Sequence, residues 1–427
     1  MREMKDSGVA WIGEIPKSWN LERLQWHISE IKETNKPEKT KQILSLTNKR
    51  GVIPYEEKGA QGNVSKEDLS QYKLAYPDTI VANSMNVLIG SVGKCNYYGC
   101  VSPVYYVYKP NDGENLEFIN YIFQTEQFQK ELRRYANGIL EIRLRVSSDG
   151  ILKRKVAFPS TDEQQKIVVY LNQKLSQVDS LIANVQAQIE KLKTYKQSLI
   201  TEVVTKGLDP NAPMKDSGVE WAPKIPANWE MSRIGLHYSI ILGKMLCPKP
   251  ADDSYTLEPY YCAANVHFGN ICSDELKKMW FSPYEKELYH VEVGDVLIVE
   301  GGAGAGGCAV VQQPTETLVQ NSVMIVRNKS NSDNRYLRYW VESLVGRGYI
   351  EVVCNKATIP HFTKEKLSRT VYPVMSPKEQ VQIADFLDKK CSQIEQLITL
   401  KESKIEKLQQ YKRSLIYEYV TGKKEVV

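Results

Sequence analysis

Two stretches of the chain repeat apolar side chains at alternating steps of four and three. The first runs Leu171, Leu175, Val178, Ile182, Val185, Ile189, Leu192 and Leu199; the second runs Leu387, Cys391, Ile394, Ile398, Ile405, Leu408 and Leu415. A mean spacing of about 3.5 residues places each set on one seam of a helix, and such a seam calls for a partner helix. The spacing predicts long helices over 160–207 and 376–422. Each opens on an S-x-x-E sequence, Ser160-Thr161-Asp162-Glu163 and Ser376-Pro377-Lys378-Glu379. There the serine can cap an orphan N–H, the glutamate can reach back to the cap, and proline suits the first helical position. Gly207 and Gly422 stand where a left-handed residue closes a helix. Lys401 takes one apolar place on the seam, and Lys196 and Lys412 fall on it near the ends, where Tyr195 and Tyr411 are expected to provide the cover. At about 1.5 Å per residue each helix is on the order of 65 Å long. Two such helices bury little alone, so they are expected to pair antiparallel as a coiled coil.

The two helices are copies of one another. Residues 163–206 align with 379–422 without a gap, and twenty-one of the forty-four pairs are identical, among them Gln164/Gln380, Ile167/Ile383 and Tyr195/Tyr411. A second repeat precedes each copy. MKDSGVAWIGEIPKSW from Met4 and MKDSGVEWAPKIPANW from Met214 agree at ten of sixteen positions, including Trp11/Trp221, Pro16/Pro226 and Trp19/Trp229. The chain is therefore a tandem duplication. Its expected organisation is a first globular region over 1–159, a helix over 160–207, a linker over 208–213, a second globular region over 214–375, a helix over 376–422 and a tail over 423–427.

Between the repeats, residues 21–158 and 231–372 read as mixed strand and helix, giving an α/β (α+β) chain with two globular regions on two long helices. Buried strands are predicted at 78–81 and 295–299, each followed by a glycine-bearing turn (90–93 and 301–307), a second strand (104–108 and 323–326) and an amphipathic helix (118–135 and 335–345). The frames match while the residues have drifted apart, which suits two related surfaces that read two different things. The polar and basic clusters are candidate nucleic-acid contacts: Asn83, Asn86, Lys94, Arg133, Arg134, Arg143 and Arg145 in the first region, and Lys244, Lys249, Asn265, Gln320, Asn321, Arg347, Lys356 and Lys364 in the second. Arginine and lysine suit phosphates and guanine, and asparagine and glutamine suit adenine.

Composition adds limits. A net charge of +5 over 427 residues permits a nucleic-acid partner without demanding one. The polar start of the chain offers no signal-peptide core, and no apolar run has the length of a membrane span, so a cytoplasmic protein is expected. The eight cysteines form no C-x-x-C pair and read as small buried thiols, with no metal site. Gly302 to Gly307 matches G-x-G-x-x-G, but the following Cys308-Ala309-Val310-Val311 reads as strand, where a cofactor loop requires a helix. No P-loop, amino-methyltransferase tetrapeptide, nuclease cluster or nucleophile elbow is present, and His361 is read as a structural or contact residue.

The repeats carry a resemblance. The K-D-S-G-V-x-W…I-P…W blocks, the Pro159 to Gln164 and Pro373 to Gln380 entries with Ile167 and Ile383, and the endings at 193–200 and 409–416 resemble the specificity subunits of type I restriction–modification systems over nearly the whole chain. The resemblance implies a non-catalytic subunit with two target-recognition domains, each binding one half of an asymmetric, bipartite double-stranded DNA target. It implies a helix pair that sets the gap between the halves and docks two methyltransferase subunits, and two translocase–nuclease subunits in the full complex. S-adenosylmethionine, ATP and Mg would then be bound by those partners and none by this chain. Two other readings use the same residues: a stand-alone methyltransferase with a degenerate loop at 302–307, and a coiled-coil adaptor without a DNA role.

Overall fold

The computed structural model describes residues 2–47, 50–59, 68–137, 144–354 and 361–426. The chain divides into two compact units, one of residues 1–186 with 402–427 and one of residues 187–401. Each unit owns half of each long helix.

The first unit starts with an antiparallel hairpin, Met4–Asp6 against Glu14–Pro16, which is the first repeat block. Asn20–Arg23 then pairs with Lys155–Phe158, the strand that feeds the long helix. Between them lies a four-stranded antiparallel sheet in the order Ile28–Ile31, Tyr105–Pro110, Thr79–Asn83, Val92–Cys95. Thr79–Asn83 is buried at every residue, as expected of a central strand covered on both faces. The helix predicted over 118–135 is two helices, Leu116–Phe123 and Glu126–Arg133. Thr125 adopts an extended conformation (φ −77°, ψ 131°) and its hydroxyl returns to the Ile122 carbonyl (2.8 Å), which breaks the first helix and opens the second.

The second unit repeats the plan. Met214–Asp216 pairs with Lys224–Pro226, and Glu230–Arg233 with Val371–Val374. The four-stranded sheet has the matching order Tyr238–Leu242, Val323–Asn328, Val296–Val299, Cys308–Val310, followed by the helix Asn334–Gly346. Among the described residues, a three-stranded sheet, Lys277–Phe281, Thr256–Tyr261 and Leu318–Val319, is found in this unit alone. Residues 302–307 form the hairpin turn between Val296–Val299 and Cys308–Val310. The segment after these glycines is therefore a strand, as its sequence predicts.

The long helices run Thr161–Lys206 and Pro377–Val420. In the first unit Tyr170 stacks on Tyr419 (4.7 Å between ring centroids) and Lys412 bonds Asp179 (2.7 Å); in the second Lys196 bonds Glu395 (2.6 Å) and Lys401 bonds Gln188 (2.6 Å). One number rises as the other falls, so the pairing is antiparallel. No seam position among those predicted is exposed, and a fully buried Leu or Ile contributes about 1.5–3 kcal/mol. The three seam lysines are each satisfied by an acceptor on the facing helix. Tyr195 and Tyr411 correct the expectation that they cover the seam ends: both are half exposed, on the outer surface.

The helix starts differ from the predicted capping boxes in one respect. Ser160 and Ser376 accept from the N–H of Glu163 and Glu379 (3.4 and 3.3 Å). The glutamates turn instead to the repeat block, accepting from the indole N–H of Trp19 (3.0 Å) and Trp229 (2.9 Å). Arg2 also bonds Glu163. Each tryptophan is fully buried, and its Nε1–H needs an acceptor there. Gly207 and Gly422 close the helices at φ +77° and +72° against Trp229 and Trp19 respectively. The two repeat blocks are thus a latch and its keeper, built twice.

Candidate nucleic-acid interface

In each unit, one end of the four-stranded sheet gathers polar groups from several loops. In the first unit this end follows Thr79–Asn83. The Asn83 side chain is buried and accepts from the Met85 N–H (3.0 Å), folding the chain back at the strand end. The short pair Ala136–Asn137 and Arg145–Val146 is tied to it by the Val146 N–H on the Ser84 carbonyl (3.1 Å) and by the Tyr106 hydroxyl on the Val146 carbonyl (3.2 Å). The result is to set Arg145, exposed and in contact with Met85 Sδ (3.8 Å), beside the loop that carries the exposed Asn86.

In the second unit the equivalent end follows Val296–Val299. The Glu300 N–H donates to the Ser322 carbonyl (2.8 Å), the Phe362 N–H donates to the Glu300 carbonyl (2.6 Å), and Gly301 bridges to His361. Half-buried Gln320 and Asn321 lie in the same connection as Ser322, and Lys364 is exposed two residues beyond Phe362. Burial raises the Glu300 carboxyl above its ordinary pKa; His361 opposes that shift and Glu365 adds to it. Glu300 was not among the sequence candidates. The signal that finds it is the repeat frame, since it follows its strand as Ser84 follows Asn83.

The remaining candidates divide by burial. Lys94 pairs with Asp78 (3.2 Å), away from the Asn83 end of the sheet. Arg133 and Arg134 are exposed at the end of Glu126–Arg133, Arg134 within 3.3 Å of Glu131, and Lys249 is exposed. Four candidates are interior or structural groups, which corrects their reading as surface contacts. Asn83 holds its own turn. Lys244 is 8% exposed, bonded to Glu285 and packed against Phe281. Asn265 is buried, accepting from the Cys262 N–H (3.0 Å) and donating to the Cys272 carbonyl (3.1 Å). Arg347 donates to the Trp221 and Ser343 carbonyls beside the Trp221 and Trp340 rings, and burial lowers its pKa. Arg143 and Lys356 lie outside the described residues.

Among the described residues no cluster of His, Cys, Asp and Glu could hold a metal ion, and no helix is long and apolar enough to cross a membrane. The cysteines are free; burial pushes the Cys100 and Cys391 thiols up to about 11. What the two sheet ends offer is hydrogen bonding: amide, guanidinium and carboxylate groups of the kinds that match base edges and phosphates.

The chain is thus a duplicated α/β frame with paired long helices and dissimilar polar groups at matching sheet ends. Residues 257–410 match the family model described as type I restriction modification DNA specificity domain. A Methanocaldococcus jannaschii protein provisionally named the type I restriction enzyme MjaX specificity subunit is 24% identical over 433 residues, covering 96% of this chain and 95% of its own. The MjaIX specificity subunit of the same organism is 22% identical, over 77% and 76%. The fold matches a chain from a solved structure concerned with complex assembly and conformational transition of the type I R-M system (TM-score 0.72, 14% identity, 95% of this chain and 98% of that one). It also matches the HsdS subunit from Thermoanaerobacter tengcongensis (TM-score 0.53, 14% identity, 96% and 98%). Over nearly its whole length the chain is thus similar to proteins named as type I restriction–modification specificity subunits, in sequence and in fold.

Proposed function

We propose that each globular region reads one half of a bipartite DNA target, that the antiparallel helix pair fixes the separation of the halves, and that the same helices dock the methyltransferase (modification) subunits. The observation that carries this reading is the pair of matching sheet ends. Asn86 and Arg145 occupy one, and Glu300, Gln320 and Asn321 occupy the other, on the same strand order. Arginine suits guanine O6 and N7, asparagine and glutamine suit adenine, and glutamate accepts from cytosine N4. The exposed lysines and arginines of the two regions, Arg133, Arg134, Lys249 and Lys364, suit phosphates, which makes binding fall with salt. S-adenosylmethionine, ATP and Mg belong to the partner subunits, and the setting is the cytoplasm.

The reading is tested by exchanging residues 231–372 for the corresponding region of another family member and sequencing the methylated sites made by the assembled methyltransferase. One half of the target changes and the other is kept. A change in both halves, or in neither, rejects the modular reading.

A further inference from the structure

At the polar sheet end of the second unit a charged group and an apolar pair have exchanged their usual places. Lys244 is 8% exposed, while the next two residues, Met245 and Leu246, are 77% and 62% exposed. A buried charge and an exposed run of large apolar side chains are the two informative departures from ordinary sorting by solvation. The Lys244 ammonium bonds Glu285 and lies over the Tyr255 and Phe281 rings (5.2 and 5.5 Å to the centroids). Its charge is satisfied inside the unit, and the apolar pair takes the surface.

The backbone holds this arrangement in place. The segment leaves Tyr238–Leu242 at the sheet end that carries Glu300, Gln320 and Asn321. The Gly243 N–H donates to the Val323 carbonyl (2.9 Å), the Lys244 N–H to the Val319 carbonyl (3.0 Å), and the Asn321 N–H to the Lys244 carbonyl (2.8 Å). A Cβ at Gly243 would stand 2.5 Å from the Gln320 carbonyl carbon, so glycine is what lets the two strands approach this closely. Beyond the pair, the Cys247 carbonyl accepts from the Trp280 N–H (3.1 Å). Met245 and Leu246 are thus carried between two backbone anchors, on the flank of the half-buried Gln320 and Asn321.

The first unit shows the same frame with other chemistry. By the register that matches Ile28 with Tyr238, the residues Thr34, Asn35 and Lys36 stand where Lys244, Met245 and Leu246 stand. Asn35 is fully buried and accepts from the Lys39 and Thr40 N–H groups (2.7 and 3.1 Å), closing its own turn, and Lys36 is exposed. The frame therefore does not require an apolar pair at this place; the second unit carries one where its candidate base-reading amides lie.

We infer that Met245 and Leu246 form the contact surface for a thymine C5-methyl group in the half-site read by the second unit, so that an A·T pair is recognised on both bases, by Gln320 or Asn321 on adenine and by the apolar pair on thymine. The inference rests on the proposed reading of one half-site by this region and deepens it. Thymine is the base that offers an apolar group at its major-groove edge, and it stands there beside the N6 and N7 of adenine that suit an amide. An amide next to an exposed apolar pair matches that combination; a G·C pair has no group for the apolar side chains. Anchoring on both sides limits the chain freedom lost on contact.

The test replaces thymine by deoxyuridine, one position at a time, in the half-site that the domain exchange assigns to the second region. Uracil keeps the pairing and lacks only the methyl group. Anisotropy titrations with the assembled methyltransferase show at least one position where uracil weakens binding about fourfold, the worth of one buried methyl-sized group. Met245→Ser with Leu246→Ser binds the thymine duplex more weakly by a similar factor and no longer distinguishes uracil from thymine at that position, while its response to uracil in the other half-site stays that of the parent chain. Both side chains are exposed, so the thermal midpoint is kept. A half-site without thymine, uracil tolerated at every position, or a double variant that still discriminates overturns the inference and leaves the half-site reading standing. A double variant that fails to assemble with the modification subunits, with the uracil response unchanged, gives the pair to a protein contact and overturns the inference as well. If the domain exchange shows that residues 231–372 determine no half-site, the reading itself falls and the inference with it.

Discussion

Arg145 and Arg347 carry the same guanidinium into opposite surroundings. Arg145 stands in solvent at the end of a sheet, held by its strand pairing and the edge of Met85. Arg347 is wedged between the Trp221 and Trp340 rings with its N–H groups on backbone carbonyls and on the Ser343 hydroxyl (3.1 Å). The two separate in experiment. Arg145→Ala weakens binding of the assembled methyltransferase to its target duplex by about 1–3 kcal/mol, the range of one base contact, and leaves the thermal midpoint unchanged. Arg347→Ala leaves the Trp221 carbonyl without its donor and costs about 1–3 kcal/mol of stability, with target affinity of the folded protein unaltered. Anisotropy titrations and thermal melts on both variants check this; a stability loss at Arg145 without an affinity loss would remove it from the interface. The contrast also explains which candidate contacts could be recognised in advance. Type and local clustering put forward Asn86 and Arg145, which the fold leaves exposed, but burial is set by long-range packing. Lys244, Asn265 and Arg347 therefore looked the same in sequence as the groups that face solvent.

The long helices are where sequence and structure agree most closely, because a period of 3.5 kept over six heptads calls for a helix with a partner along one seam. Their ends were legible for the same reason, since glycine and serine have narrow uses there. The glutamate at each start was harder: its partner, a tryptophan about 150 residues away, lies in another repeat block. The helix pair also contains one asymmetry. Val185 is 5% exposed on the seam, while its counterpart Lys401 is half buried and bonded to Gln188. A polar group on an a/d seam fixes register at a cost in stability. Lys401→Leu is therefore expected to raise the thermal midpoint by several degrees, consistent with a gain of about 1–2 kcal/mol from burying the side chain, without altering the methylated sequence. A lower midpoint would show that the lysine bond outweighs the apolar contact.

At the scale of the whole molecule, the proposed ruler makes a quantitative demand on the helix pair. Seven residues inserted at matched positions in both helices keep the seam in phase and add about 10.5 Å of helix. If the pair runs along the duplex, that length corresponds to about three base pairs, at roughly 3.4 Å each. Three base pairs also turn the second half-site by about 100° around the DNA axis, so a single heptad moves the half-sites to the right distance and the wrong face. Three heptads add about 31.5 Å, close to the roughly 34 Å of one DNA turn, and bring both half-sites back to one face. The expected outcome is therefore not monotonic. With one added heptad the methyltransferase loses activity on every gap length, or retains it only on DNA twisted to suit. With three it recovers, on targets whose gap is about nine or ten base pairs longer. Insertion of four residues at matched positions is a stutter, which unwinds the pair locally without separating the helices and adds about 6 Å of helix. Methylation of a library of targets with graded gaps reads all three cases. An optimum gap that does not move with three added heptads means the distance is set elsewhere, by the linkers or by the partner subunits, and the helices serve only to hold those partners.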